Sequence, residues 1–101
     1  MALSKLQLSE LLSVYGATLT DKQRDVATMY CDCDCSLSEI ADEFGITRQG
    51  VRDAIVKSEA ALVKLEENLR LAEFIRNLTL ALDDNNVDLL KQTVKQYVSK
   101  E

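Results

Sequence analysis

Residues 36–57 read SLSEIADEFGITRQGVRDAIVK, and this stretch decides the fold. Its pattern is helix, tight turn, second helix. Ser36 is placed to cap the first helix. Glu39, three residues on, can close a capping box in which each side chain satisfies a backbone N–H left over at the helix start. Leu37, Ile40, Ala41 and Phe44 share one helical face. Gly45 ends that helix, because a left-handed C-cap costs glycine nothing. Ile46 fills the corner and Thr47 caps the second helix, from which Val51, Ala54, Ile55 and Ser58 turn inward. Two short helices joined by about three to four turn residues with a glycine are the layout of a helix-turn-helix.

The remaining chain is helical in character. It has 101 residues, no proline and few aromatics. An all-α fold with one domain over 1–101 is expected: the helix-turn-helix at about 36–57, then a long helix and a C-terminal helix over about 58–99. Ahead of the motif, 3–15 reads as an amphipathic helix with Leu8, Leu11, Leu12 and Tyr15 on one side. Gly16 ends it, and Ser9, Glu10 and Ser13 are solvated. Thr20 caps the next helix, whose core candidates are Val26, Met29 and Tyr30.

Behind the motif, no Gly or Pro interrupts 51–82. A continuous helix of that length would span about 48 Å, too long for a compact domain of this size. It must bend or pack on another chain. Val51, Ile55, Leu62, Leu65 and Leu69 form one apolar stripe. Leu71, Ile75, Leu78 and Leu82 form another, turned to nearly the opposite side. The second stripe can meet the C-terminal helix or a twin subunit. Glu66 with Arg70 and Glu73 with Arg76 suit the solvated surface. The run 83–86, DDNN, is a turn, and Asn86 can cap a last helix over 87–99 that folds back on the long one.

Charge cuts against a simple reading. The net charge is −5, whereas affinity for nucleic acid rests on neutralising phosphates. Asp21, Asp25, Asp32, Asp34, Glu39, Asp42 and Glu43 precede the turn, but Arg48, Arg52 and Lys57 outnumber Asp53 on the second helix. With Val51 at the centre of the buried face, Gln49, Arg52, Asp53 and Val56 point outward, with Lys57 at the edge. Glutamine can pair with adenine, arginine with guanine, and an apolar group with the thymine methyl. Thr47 and Arg48 sit at the helix start, where N–H groups and a cation favour phosphate. The candidate DNA-binding set is Thr47, Arg48, Gln49, Arg52, Val56 and Lys57.

Other chemistry finds little support. There is no histidine, which removes the commonest general base. Gly16, Gly45 and Gly50 are scattered and form no phosphate loop. Cys31, Cys33 and Cys35 alternate with aspartates, but structural zinc needs four ligands at other spacings. Three thiols also argue against a disulfide framework. No cofactor, no metal site and no catalysis are expected. Neither a membrane-spanning run nor a signal-peptide core is present, so a cytoplasmic location without membrane insertion is expected.

LTDKQRD from Leu19, SLSEIADEFGITRQGV from Ser36 and the long helix beginning KSEAALVKLEENLRL together resemble the YlxM-type family of small bacterial proteins. The resemblance covers about 3–82. The motif is more broadly similar to the promoter-reading fourth region of sigma factors, matching at Gly45, Ile46, Thr47, Val51, Arg52, Ile55 and Lys57. It departs from that pattern at Asp53 and Ala54, and from the YlxM-type helix at Gly50. The resemblance implies an all-helical homodimer with a DNA-binding module. It also implies a link to the signal recognition particle pathway, because such proteins are encoded beside its GTPase. Two functions follow: a DNA-binding regulator, with signal recognition particle components as further partners, or a protein-interaction adaptor that modulates that GTPase without binding DNA.

Overall fold

The computed structural model describes residues 1–99. Among them are six helices and no strand: α1 (Lys5–Tyr15), α2 (Asp21–Cys31), α3 (Leu37–Phe44), α4 (Arg48–Leu69), α5 (Leu71–Asp83) and α6 (Val87–Val98). Gly16–Thr18 adds one 3-10 turn. The chain divides into two compact units, Met1–Asn68 and a second beginning at Leu69.

In the first unit the helix starts are set by reciprocal caps. Ser4 with Gln7, Thr20 with Gln23 and Ser36 with Glu39 each form a complete capping box. Only the third is explicit in the expectations from sequence; at Ser4 and Thr20 a glutamine takes the closing role. α3 ends as expected on left-handed Gly45, φ 64°. The Gly45 and Ile46 amides both return to the Ala41 carbonyl, the latter at 3.0 Å. Gly16 behaves differently. It is right-handed at φ −56° and passes α1 into the 3-10 turn. A Cβ there would meet the Arg24 stem at 3.7 Å, an ordinary contact.

Leu8, Leu11, Leu12 and Tyr15 of α1 are buried with Val26 and Ala27 of α2, Ile40 and Ala41 of α3, and Val51, Ile55, Ser58 and Leu62 of α4. Ala27 and Ala41 are the small residues of this core. The expected core residues Met29, Tyr30, Leu37, Phe44 and Ala54 are only half-buried. Tyr30 instead carries the Lys5 ammonium 4.8 Å above its ring. Two long-range hydrogen bonds fasten the rest to α4. The Tyr15 hydroxyl donates to Glu66 at 2.6 Å, and the Ala2 amide donates to Glu59 at 2.7 Å. Glu59 is buried, which the pattern of α4 gives no reason to expect.

The cysteines lie at the end of α2 and in the loop after it, free, with Cys31 and Cys35 half-buried. Burial, then the Asp32 carboxylate, pushes the Cys31 thiol up to about 12. The Asp32 carboxylate accepts from the Cys31 thiol and also from Ser9, expected to be solvated, while Asp34 accepts from Lys5. The bonds from Ser9 and Lys5 tie the loop to α1. Among the described residues no group of three His, Cys, Asp or Glu is placed to hold a metal ion. No helix of the described residues is long and apolar enough to cross a membrane.

The long helix expected over 51–82, which had to bend or pack on another chain, is two helices. Arg70, at φ 52°, interrupts it between Leu69 and Leu71. Neither Gly nor Pro marks the break. The two apolar stripes therefore belong to separate helices, which resolves their opposed directions. In the second unit α6 folds back on α5 after a turn with Asn85 at φ 52°. Asn86 caps α6 by accepting from the Leu89 amide at 3.0 Å. Phe74 and Tyr97 stack with centroids 4.1 Å apart, and the Tyr97 hydroxyl donates to the Leu69 carbonyl at 2.7 Å. Ala72, Ala81 and Thr93 are buried. Ile75 and Leu82 of the second stripe are not, being 42% and 60% exposed.

Two substitutions separate the turn from the core. Gly45→Ala meets no atom within 4 Å and costs only the left-handed backbone, about 1–2 kcal/mol. Ile55→Ala empties a fully buried site and costs about 2–5 kcal/mol. Urea denaturation followed by circular dichroism checks both, with the larger loss expected for Ile55→Ala.

Candidate nucleic-acid interface

Burial of Val51, Ile55, Ser58 and Leu62 fixes the rotation of α4. With side chains about 100° apart around a helix, the opposite side must face outward. Gln49, Arg52, Asp53, Val56 and Lys57 are exposed on the side turned away from that row, while Arg48, about 60° from Val51 around the helix, is exposed with Thr47 at the helix start. Lys57, expected at the edge, is fully part of this surface. Arg48, Arg52 and Lys57 make no ion pair among the described residues. Val56, 44% exposed, gives the face an apolar spot.

The start of α4 differs chemically from the starts of α1, α2 and α3. Thr47 accepts from the Gly50 amide at 2.9 Å, which is half of a capping box. Gly50 occupies the position held elsewhere by Gln7, Gln23 and Glu39, and it has no side chain to reach back to the Thr47 N–H. The box stays open. The first turn of α4, like that of α1, carries no acidic residue, whereas Asp21 and Glu39 stand in those of α2 and α3. Arg48 stands in that of α4, a cation at the positive end of the helix dipole, an arrangement unfavourable by some tenths of a kcal/mol. An anion at this end would satisfy the open N–H groups and relieve the repulsion together. The absence of a side chain at position 50 is what sequence reasoning missed. Its signal lay in comparing all four cap-to-third-residue pairs.

Further along, Gln49 donates its side-chain amide to Asp53 at 2.9 Å, one turn away. The outward face therefore holds three cations, one acid and one oriented amide. Around it the charge is strongly uneven. The first unit has seven Lys or Arg against twelve Asp or Glu, a net −5, and the second has five of each. The whole acidic excess thus lies in the unit that bears the helix-turn-helix. Asp42 and Glu43, near the end of α3, are exposed.

A family model described as "Putative helix-turn-helix protein, YlxM / p13 like" matches residues 3–100. A UPF0122 protein of Mycoplasma capricolum subsp. capricolum is 43% identical over 93 residues, spanning 89% of this chain and 81% of its own. One from Clostridium kluyveri is 42% identical over 74 residues, 73% of this chain and 67% of its own. One from Shouchella clausii is 44% identical over 68 residues, 67% of this chain and 62% of its own. With a helix-turn-helix in place and the family match running almost end to end, the chain belongs to the UPF0122 family of YlxM/p13-like helix-turn-helix proteins.

Proposed function

We propose that this chain is a cytoplasmic, non-enzymatic regulator that binds DNA through the first half of α4 and acts as a homodimer. The observation that carries the reading is the exposed trio Arg48, Arg52 and Lys57 beside an open helix start. Thr47 and Arg48 meet phosphate, which positions the helix. Gln49, Arg52 and Val56 face base edges, and Lys57 takes a further phosphate. Because the unit is acidic overall, attraction must act at short range. Charges more than about 8 Å apart are largely screened at physiological salt, so the cationic face acts locally while the distant carboxylates are muted.

Pairing of two copies compensates for a weak single site. Ile75 and Leu82 of α5 and Val87, Val94 and Val98 of α6 are exposed apolar residues. At 100° per residue, Leu71, Ile75, Leu78 and Leu82 lie along one side of α5, and Val87, Leu90, Val94 and Val98 along one side of α6. The second unit carries no net charge, so copies joined there meet no net repulsion. An alternative reading is an adaptor for the signal recognition particle machinery that does not bind DNA. The acidic excess of the first unit favours it. A pull-down with the particle's GTPase and RNA decides for that alternative if it yields a stable or activity-changing contact while duplex DNA gives no binding.

Fluorescence anisotropy with random-sequence duplex at low and moderate salt tests DNA binding. Arg48→Ala combined with Arg52→Ala is expected to weaken binding at least tenfold and to flatten the dependence of log affinity on log salt by about 2. Unchanged binding counts against the assignment. Gly50→Gln brings a Cβ to 3.2 Å from Thr47 Oγ1 and a side chain able to reach back to the Thr47 N–H; by occupying the open helix start it is expected to weaken DNA binding. Light scattering at micromolar concentration is expected to give a dimer, and Ile75→Glu with Leu82→Glu a monomer. A monomeric wild type refutes the pairing.

A further inference from the structure

Asp53 is out of place on a surface meant for phosphate, and its position has a specific chemistry. It lies on the outward side of α4, exposed, one turn beyond Gln49 and directly after Arg52. Its Oδ1 accepts the Gln49 amide at 2.9 Å. That bond uses one N–H of Gln49 and leaves Gln49 Oε1 and Asp53 Oδ2 without a partner among the described residues. The bond also fixes which end of the amide is which. Two acceptor oxygens are thus left on a surface whose cations, Arg48, Arg52 and Lys57, can only donate.

We propose that Asp53 is a base-reading residue that, with Gln49 held against it, selects a cytosine in the major groove. This rests on the DNA-binding reading above and adds the base it prefers. A carboxylate can only accept. Guanine offers O6 and N7 and thymine offers O4, all acceptors, so both are repelled. Adenine offers its N6 amine, but N7 sits beside it and meets the second carboxylate oxygen lone pair to lone pair. Cytosine offers N4–H₂ with a C–H beside it, and carboxylates accept from that amine. Arg52, the preceding residue, supplies the complementary donors for a guanine O6 and N7 in the same step. Asp53 lowers affinity for every duplex through phosphate repulsion and restores part of it only where the cytosine amine is present. An acid used this way raises discrimination by penalising the wrong partner.

Selection from randomised duplexes at low salt, run in parallel with wild type and Asp53→Asn, tests this. The substitution keeps the side-chain shape and an oxygen that can accept from Gln49, but it removes the charge. Wild type is expected to enrich cytosine about tenfold or more at one fixed position. Asp53→Asn is expected to bind random duplex more tightly and to lose the preference at that position alone. An unchanged preference in the variant, or a uniform loss of affinity, overturns the role of Asp53 while leaving DNA binding in place. Failure of the wild type to bind any duplex overturns the DNA-binding reading and this inference with it.

Discussion

The left-handed turn at Gly45 is the constraint on which the rest of the first unit depends. Eight residues of α3 cannot hold a helix by themselves. They hold because a capping box closes one end and the Gly45 and Ile46 amides close the other on a single carbonyl. That closure sets the direction in which the chain leaves α3. α4 can then lay Val51, Ile55 and Leu62 into the core with Ile40 and Val26, all fully buried. Once that row is inside, the opposite row has no freedom left. The exposure of Gln49, Arg52, Asp53 and Val56 is a geometric consequence of the burial of their neighbours, and the surface inherits the rigidity of the core.

The same face shows where local stability has been given up. Three helices begin with complete capping boxes, and α4, the longest, begins with half of one. Glycine inside its first turn is a poor helix former, and Arg48 opposes the dipole. A Cβ at position 50 would stand 3.2 Å from Thr47 Oγ1, so the cap hydroxyl would have to give way slightly to admit one. Sequences that agree with their fold nearly everywhere tend to depart from local rules at functional sites. Here the departures cluster within 47–50, at the end of the helix where an anion would be held.

Much of this is legible in the chain alone, for identifiable reasons. The Ser36 to Lys57 motif is readable because cap, glycine and apolar spacing encode one structure three times over. The outward set on α4 follows from one buried residue and the helical period. The break at Arg70 is not readable, since neither glycine nor proline marks it and any residue there bears the cost of positive φ. What stabilises it comes from 28 residues further along the chain, where Tyr97 donates to the carbonyl of Leu69. Burial of Glu59 is invisible for the same reason, its partner being the Ala2 amide. Met29 and Tyr30 look like core because they are large and apolar. Ala27, a small residue, takes the inner position instead.

The acidity of the first unit and the apolar surface of the second are connected through the number of binding sites. A single face with three cations and one acid, on a body of net −5, has little electrostatic reserve against salt. Adding basic residues would raise affinity for every duplex alike. Joining two copies through an uncharged apolar surface raises affinity only where both faces engage together, and the gain from linkage alone can reach about 10²–10⁴. On the proposed reading, the acidic remainder of each first unit would keep lone copies from adhering to DNA in general. On the same reading, weak single sites, an acid within the outward face and a pairing surface of no net charge would serve one end: occupancy would depend on two correctly spaced half-sites, because neither copy has charge enough to stay bound alone.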